Sequence, residues 1–184
     1  MMRVYRSIIN YIRRRTQKIH TIASIGDDVL IDPTVQFHYQ QHLHIEHYCR
    51  IGQDCYINAE GGCTVGAGTI MAPEVWILSS THRYEQSNLL PYDEVDEARP
   101  VHIGKGCWLG WGAKICPGVT IGAGAVIAAG SVVVKNVPKG AIVGGNPATI
   151  IKYRQDIDFI DSAIENAQYY IKAKKEKNLK RRIK

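Results

Sequence analysis

Aliphatic residues return every six positions along the second half of the chain, at Ile103, Leu109, Ile115, Ile121, Ile127 and Val133. Six is neither a helical multiple nor a strand alternation, so the internal repeat governs the reading of the fold. Each unit fits one short strand and one turn. The aliphatic residue points into a narrow interior, and the residue four positions later (Cys107, Ala113, Val119, Ala125, Ser131, Val137) is small because it sits at a corner. Glycine at the second position (Gly104, Gly110, Gly122) is expected to relax the backbone where a tight turn needs positive φ. Three units make one triangular coil, and successive coils stack parallel strands about 4.8 Å apart. The predicted fold class is all-β, a prism-shaped parallel β-helix.

The pattern continues upstream through Ile25, Ile31, Ile45, Ile51, Val65, Met71 and Ile77, the last unit running to Thr81. Phase is lost at residues 37–44, near 60–64 and across 83–100. Those breaks are read as loops ejected from the prism, and loops on one face of a repeat fold commonly carry the binding site. Both ends carry apolar residues at helical spacing: Val4, Ile8 and Ile19 in the first segment, and Ile157, Ile160, Ile164, Ala167 and Ile171 across 156–173. The expected organisation is an N-terminal basic helix (1–21), a β-helix domain (22–150) with the ejected loop 83–100, and a C-terminal helix with basic tail (151–184).

Composition changes this picture little. The 184 residues are 45% hydrophobic and 8% aromatic, which suits a single solenoid filled with aliphatic side chains. No apolar run has the length of a membrane span or signal peptide, so the expected compartment is the cytoplasm. Cys49, Cys55 and Cys107 fall at small corner positions and read as packing residues. No Cys-x-x-Cys pair exists, which argues against a sulfur-built zinc site. The net charge is +6, with eight lysines or arginines against one glutamate over 172–184. Such basic ends suggest peripheral association with the inner face of an anionic membrane. Nucleic acid is not expected, because no aromatic stacking motif accompanies the charge.

The run from Val101 to Arg154 contains Ile-Gly-Lys-Gly-Cys-Trp-Leu-Gly (103–110), Pro-Gly-Val-Thr-Ile-Gly (117–122) and Val-Gly-Gly-Asn-Pro-Ala (143–148). It resembles the hexapeptide-repeat acyltransferases, and within them the maltose and galactoside O-acetyltransferase type and the O-acetyltransferases of capsule and lipopolysaccharide synthesis. The resemblance implies a left-handed β-helix, assembled as a homotrimer with active sites between neighbouring prisms. It implies acetyl-CoA as co-substrate, no required metal, and a sugar or glycan as acceptor.

Carried over by position, His82 in Ser79-Ser80-Thr81-His82 resembles the family's catalytic histidine. Imidazole is suited to taking a hydroxyl proton at cytosolic pH. Its second ring nitrogen needs an acceptor, and Glu85, Asp93, Glu94, Asp96 or a backbone carbonyl would each serve. On the acceptor side the resemblance points to Asn58, while Tyr84 and Tyr92 could stack on a sugar face and Trp108 would wall the thioester. On the donor side it points to Trp111 and Ala129 for the pantetheine arm, Val134 and Lys135 near adenine and phosphates, and Lys152 and Arg154 at the 3′-phosphate. N-acetylation of an amino sugar nucleotide and acetylation of an antibiotic hydroxyl would use the same base and donor. More distant readings are a zinc carbonic anhydrase-like site on His42, His44 and His47, and a non-catalytic prism.

Overall fold

A computed structural model describes residues 21–177 and 179. Residues 1–20 of the first segment expected to be helical, and residues 178 and 180–184 of the basic tail, lie outside the described residues. The hexad pattern becomes five full coils of three strands. The first holds β1 (Ser24–Ile25), β2 (Leu30–Ile31) and β3 (Gln36–His38), and the second β4 (Leu43–Ile45), β5 (Arg50–Ile51) and β6 (Tyr56–Asn58). In the third, β7 (Cys63–Val65), β8 (Ile70–Met71) and β9 (Trp76–Leu78) lead into a hairpin of β10 (Ser80–His82) and β11 (Asp96–Ala98). The fourth holds β12 (Val101–Ile103), β13 (Trp108–Leu109) and β14 (Lys114–Ile115), and the fifth β15 (Thr120–Ile121), β16 (Val126–Ile127) and β17 (Val132–Val133). A closing antiparallel pair, β18 (Ala141–Gly145) and β19 (Ala148–Tyr153), precedes helices α1 (Ile157–Glu165) and α2 (Tyr170–Lys177).

Each coil stacks on the next in parallel register, so Ile45, Val65, Ile103 and Ile121 form one interior ladder. Leu109 and Ile127 continue a second, and Ile77, Ile115 and Val133 a third. All of these are buried, as are the corner residues Cys107, Ala113, Val119, Ala125 and Ser131. A narrow triangular interior has room for one branched side chain per strand and only a small one at each corner, which is why the hexad alternates in size.

Three details differ from the sequence reading. The second-position glycines do not carry the positive φ. A Cβ on Gly104 would meet Ala123 N of the next coil at 2.6 Å, so glycine stands there because two coils touch backbone to backbone. Positive φ falls two residues later, as at Gly124 (φ +67°).

The breaks at 37–44 and 60–64 are not ejected loops either. Phe37 and Ile45, like Ile57 and Val65, are eight positions apart instead of six, with strands on both sides, so each break is a wider turn from the third face to the first. The third break opens at the same edge. It begins earlier than expected, since Ser79, not Thr81, is the buried corner residue. Its hydroxyl donates to the Asn58 carbonyl and accepts from the Gly61 N–H, both at 2.9 Å, and the chain leaves the prism there.

The single C-terminal helix expected over 156–173 is two helices. Ala167 takes a left-handed φ of +47°, which an α-helix cannot continue through. Ile160 of α1 packs over Gly124, and Tyr169 lies over Gly68. Farther along, Lys175 of α2 reaches Asp28 at 2.5 Å and Lys172 sits 5.7 Å from the Tyr48 ring. Two cations of the basic tail are therefore engaged with the prism.

Candidate active site

All three departures from the hexad stack on the edge between the third and first faces, and the polar chemistry collects there. His82 ends β10 and pairs across the hairpin with Asp96, the first residue of β11. That register puts His82 Nδ1 2.5 Å from Asp96 Oδ1. A carboxylate accepts only, so Nδ1 carries a proton, and in the neutral ring Nε2 keeps its lone pair. Of the four carboxylates available in sequence, the hairpin register selects Asp96.

The imidazole is held in a second direction. Tyr92 stacks on it with ring centroids 4.0 Å apart and planes within 10°. Asp96 constrains the ring in its own plane and Tyr92 constrains it from above, while the side chain remains 55% exposed. Tyr84, by contrast, points to solvent elsewhere in the loop.

The loop that carries Tyr92 is itself anchored. Asp93 is buried and receives the Arg83 guanidinium and the Val95 N–H, and Arg83 N donates to the Val95 carbonyl at 2.9 Å. The Arg83 hydrogen bond holds the Asp93 carboxyl below its ordinary value of 3.8, against the opposing effect of burial.

One coil earlier on the same edge lies a second polar group. Asn58 Nδ2 approaches Ser80 Oγ at 3.4 Å, Ser80 Oγ donates to Glu60 Oε2 at 2.6 Å, and Glu60 N donates to Asn58 Oδ1 at 3.0 Å. From the first coil, the Tyr39 phenol is raised above its ordinary value chiefly by the Glu60 carboxylate. Asn58 is thus brought to the His82 edge, together with Tyr39, Glu60 and Ser80, which sequence reasoning missed. The signal was present as the two extra residues in each of the first two coils.

The remaining expected site residues lie elsewhere on the chain. Trp108 faces outward on the second face, more than half exposed. Trp111 and Ala129 sit in the turns from the second face to the third, both exposed, at the opposite edge of the third face from His82. Val134 and Lys135 follow β17 on the His82 edge, two coils beyond the hairpin, and are exposed. Lys152 is exposed on β19. Arg154 is half-buried, its Nε donating to the Gly124 carbonyl at 2.6 Å, so part of its guanidinium serves the prism.

The histidine cluster is dispersed. His42 Nδ1 meets the Glu60 carbonyl, His44 Nδ1 the Ser24 hydroxyl and His47 Nδ1 the Asp27 N–H. Among the described residues no group of three His, Cys, Asp or Glu side chains converges as a metal site. Burial pushes the Cys49 and Cys63 thiols up to about 12 and Cys55 and Cys107 to about 11, so these four stay protonated and inert near neutral pH.

Residues 100–135 match the family model for the bacterial transferase hexapeptide (six repeats). The chain is 32% identical over 136 residues to the colanic acid biosynthesis protein WcaF of Escherichia coli K12, covering 74% of this chain and 72% of that one. It is 32% identical over 149 residues to galactoside O-acetyltransferase of the same organism, covering 79% and 72%. The chain belongs to the hexapeptide-repeat acyltransferases. Its fold is accordingly the left-handed parallel β-helix. Nodulation protein L of Rhizobium meliloti, 36% identical over 129 residues, covers 70% of this chain and 69% of its own length. Among solved structures, a galactoside acetyltransferase in complex with coenzyme A superposes with a TM-score of 0.70 at 25% identity, covering 85% of this chain and 82% of that one.

Proposed function

We propose that the protein is an acetyl-CoA-dependent O-acetyltransferase acting on a sugar hydroxyl in surface polysaccharide synthesis, with His82 as general base. The observation that carries this reading is the His82–Asp96 pair. An imidazole with Nδ1 held by a carboxylate and Nε2 open is ready to take a proton. The relatives support the rest: one is named for colanic acid biosynthesis and one for galactoside O-acetylation, and a structural neighbour holds coenzyme A.

The donor supplies an activated acetyl thioester. Nε2 of His82 removes the acceptor's hydroxyl proton as that oxygen attacks the thioester carbonyl. Asp96 stabilises the resulting imidazolium through Nδ1, and the C–O bond forms as the C–S bond breaks. The imidazolium then returns its proton to the departing thiolate, giving acetylated acceptor and free thiol. Tyr92 keeps the ring aimed throughout.

The working form in this reading is a homotrimer. Trp111 and Ala129 stand at one edge of the third face and His82 at the other, so donor and base meet when the edges of two prisms adjoin. The outward positions agree with this. The first face presents Ser24, His44, Thr64, His102 and Thr120, whereas the second presents Leu30, Arg50, Ile70, Trp108 and Val126, and the third Gln36, Tyr56, Trp76, Lys114 and Val132. Two faces rich in apolar and aromatic residues and one polar face suit a ring of heterologous contacts. We place the enzyme in the cytoplasm, at the inner face of the membrane if its remaining basic residues engage lipid. No described helix is long and apolar enough to cross a membrane.

The test is release of free thiol from acetyl-CoA with a panel of saccharide acceptors. His82→Ala is expected to lower turnover by about 10²–10⁴-fold with acetyl-CoA affinity retained. A variant with full rate would remove His82 from the reaction.

A further inference from the structure

The three lengthened turns lie on one edge, and they contribute more acidic than basic residues. The first wide turn contributes Tyr39, the second Glu60, and the hairpin with its return segment Glu85, Asp93, Glu94, Asp96 and Glu97. The only basic residues between His82 and Pro100 are Arg83 and Arg99, and each is already ion-paired, to Asp93 and Glu97 respectively. A protein of net charge +6 thus carries a local excess of acidic residues beside His82: Glu60, Glu85, Glu94 and Asp96 remain once the two arginine pairs are set aside.

We propose that this edge selects uncharged saccharide acceptors and rejects anionic ones, such as nucleotide-linked sugars or uronic acids, with Glu60 as the deciding residue. The proposal rests on the acetyltransferase reading above and narrows its acceptor. Glu60 is half-buried, and its position is over-determined. Its carboxylate accepts from Ser80, its N–H donates to Asn58, and its carbonyl meets His42 Nδ1 at 3.0 Å.

That network makes a fixed negative charge beside the residues flanking His82, and Asp96 supplies another. A neutral pyranose offers hydroxyl donors, which a carboxylate accepts from directly. Phosphate and carboxylate groups offer only acceptors at neutral pH and meet like charge in a partly desolvated site. No arginine between His82 and Pro100 is left unpaired to hold a pyrophosphate.

Initial rates of thiol release from acetyl-CoA would be compared for three acceptors sharing one sugar configuration: a neutral methyl glycoside, the uronic acid and the UDP-sugar. The wild type is expected to favour the methyl glycoside over both anions by at least about 10-fold in kcat/KM. Glu60→Gln keeps volume and an oxygen acceptor for Ser80, and it should shrink that ratio about tenfold with KM for acetyl-CoA unmoved. If the variant fails to fold, raising salt on the wild type reads the same effect, because screening should narrow the preference between acceptors.

A wild type that uses the UDP-sugar or uronic acid as well as the methyl glycoside would overturn the inference. So would a ratio unchanged both by Glu60→Gln and by salt. Thiol release with none of the three would bring down the acetyltransferase reading itself, and the acceptor inference with it.

Discussion

At His82 two neighbours divide the work of fixing one ring. The Asp96 hydrogen bond sets which nitrogen is protonated, and the Tyr92 stack sets where the free nitrogen points. Their removal should therefore have different signatures. Asp96→Asn leaves geometry nearly intact but offers an amide in place of a charge, so turnover should fall by about 10²-fold or more with acceptor KM little changed. Tyr92→Leu loosens the ring and should lower kcat about tenfold, with Tyr92→Phe restoring most of it, because the stack uses the ring and not the hydroxyl. Steady-state kinetics on the three variants separates the roles. Equal losses for Phe and Leu would show that the phenol, not the stack, matters. His82 was singled out by the resemblance of its motif to the family's, just before the longest break. Asp96 was not singled out, because the β10–β11 register decides among four nearby carboxylates, and that register depends on how Arg83, Asp93 and Val95 fold the loop.

Among the elements, the two C-terminal helices show how a repeat can be capped along its side. Their apolar residues dock on an edge where the chain carries glycine, and a Cβ on Gly124 would meet Ile160 Cδ1 at 2.7 Å. Gly124→Ala is strained twice, by φ +67° and by that contact, so a loss of about 1–3 kcal/mol in unfolding free energy is expected, measured by denaturant titration. An unchanged midpoint would mean that α1 is free to lift off the prism at no cost. The hairpin is the complementary case: an element inserted into the repeat yet tied back to it. Ser79 fastens its base to Asn58 and Gly61 of the preceding coil, so a surface excursion inherits the rigidity of the core. Sequence marked both elements by loss of hexad phase or by helical spacing. It missed the break at Ala167, since nothing in alanine's chemistry announces a left-handed φ.

For the molecule as a whole, the third face separates His82 from the turns expected to hold the donor. A single prism cannot bring those edges together, because parallel stacking makes it stiff along its length and its interior is filled. Complementation tests the shared site. Coexpressed His82→Ala and Ala129→Trp chains, each inactive alone, should regain about a quarter of wild-type activity by random mixing in trimers, as each site then takes one intact edge from each chain. No regain from a mixed particle of trimer mass would place the whole site within one chain.

Hexad spacing by itself determined the coil and its three faces, because each repeat states its own strand and corner within six residues; His82 was picked out by the family resemblance of its motif. Which carboxylate meets the imidazole was decided by the hairpin register across 14 positions. That Tyr39 and Glu60 join Asn58 beside it, and that the breaks share one edge, were decided only when the coils stacked. The contacts of Asn58 and Glu60 with Ser80 join residues 22 and 20 positions apart. Their alignment follows from how many residues each turn adds before the next strand finds its register.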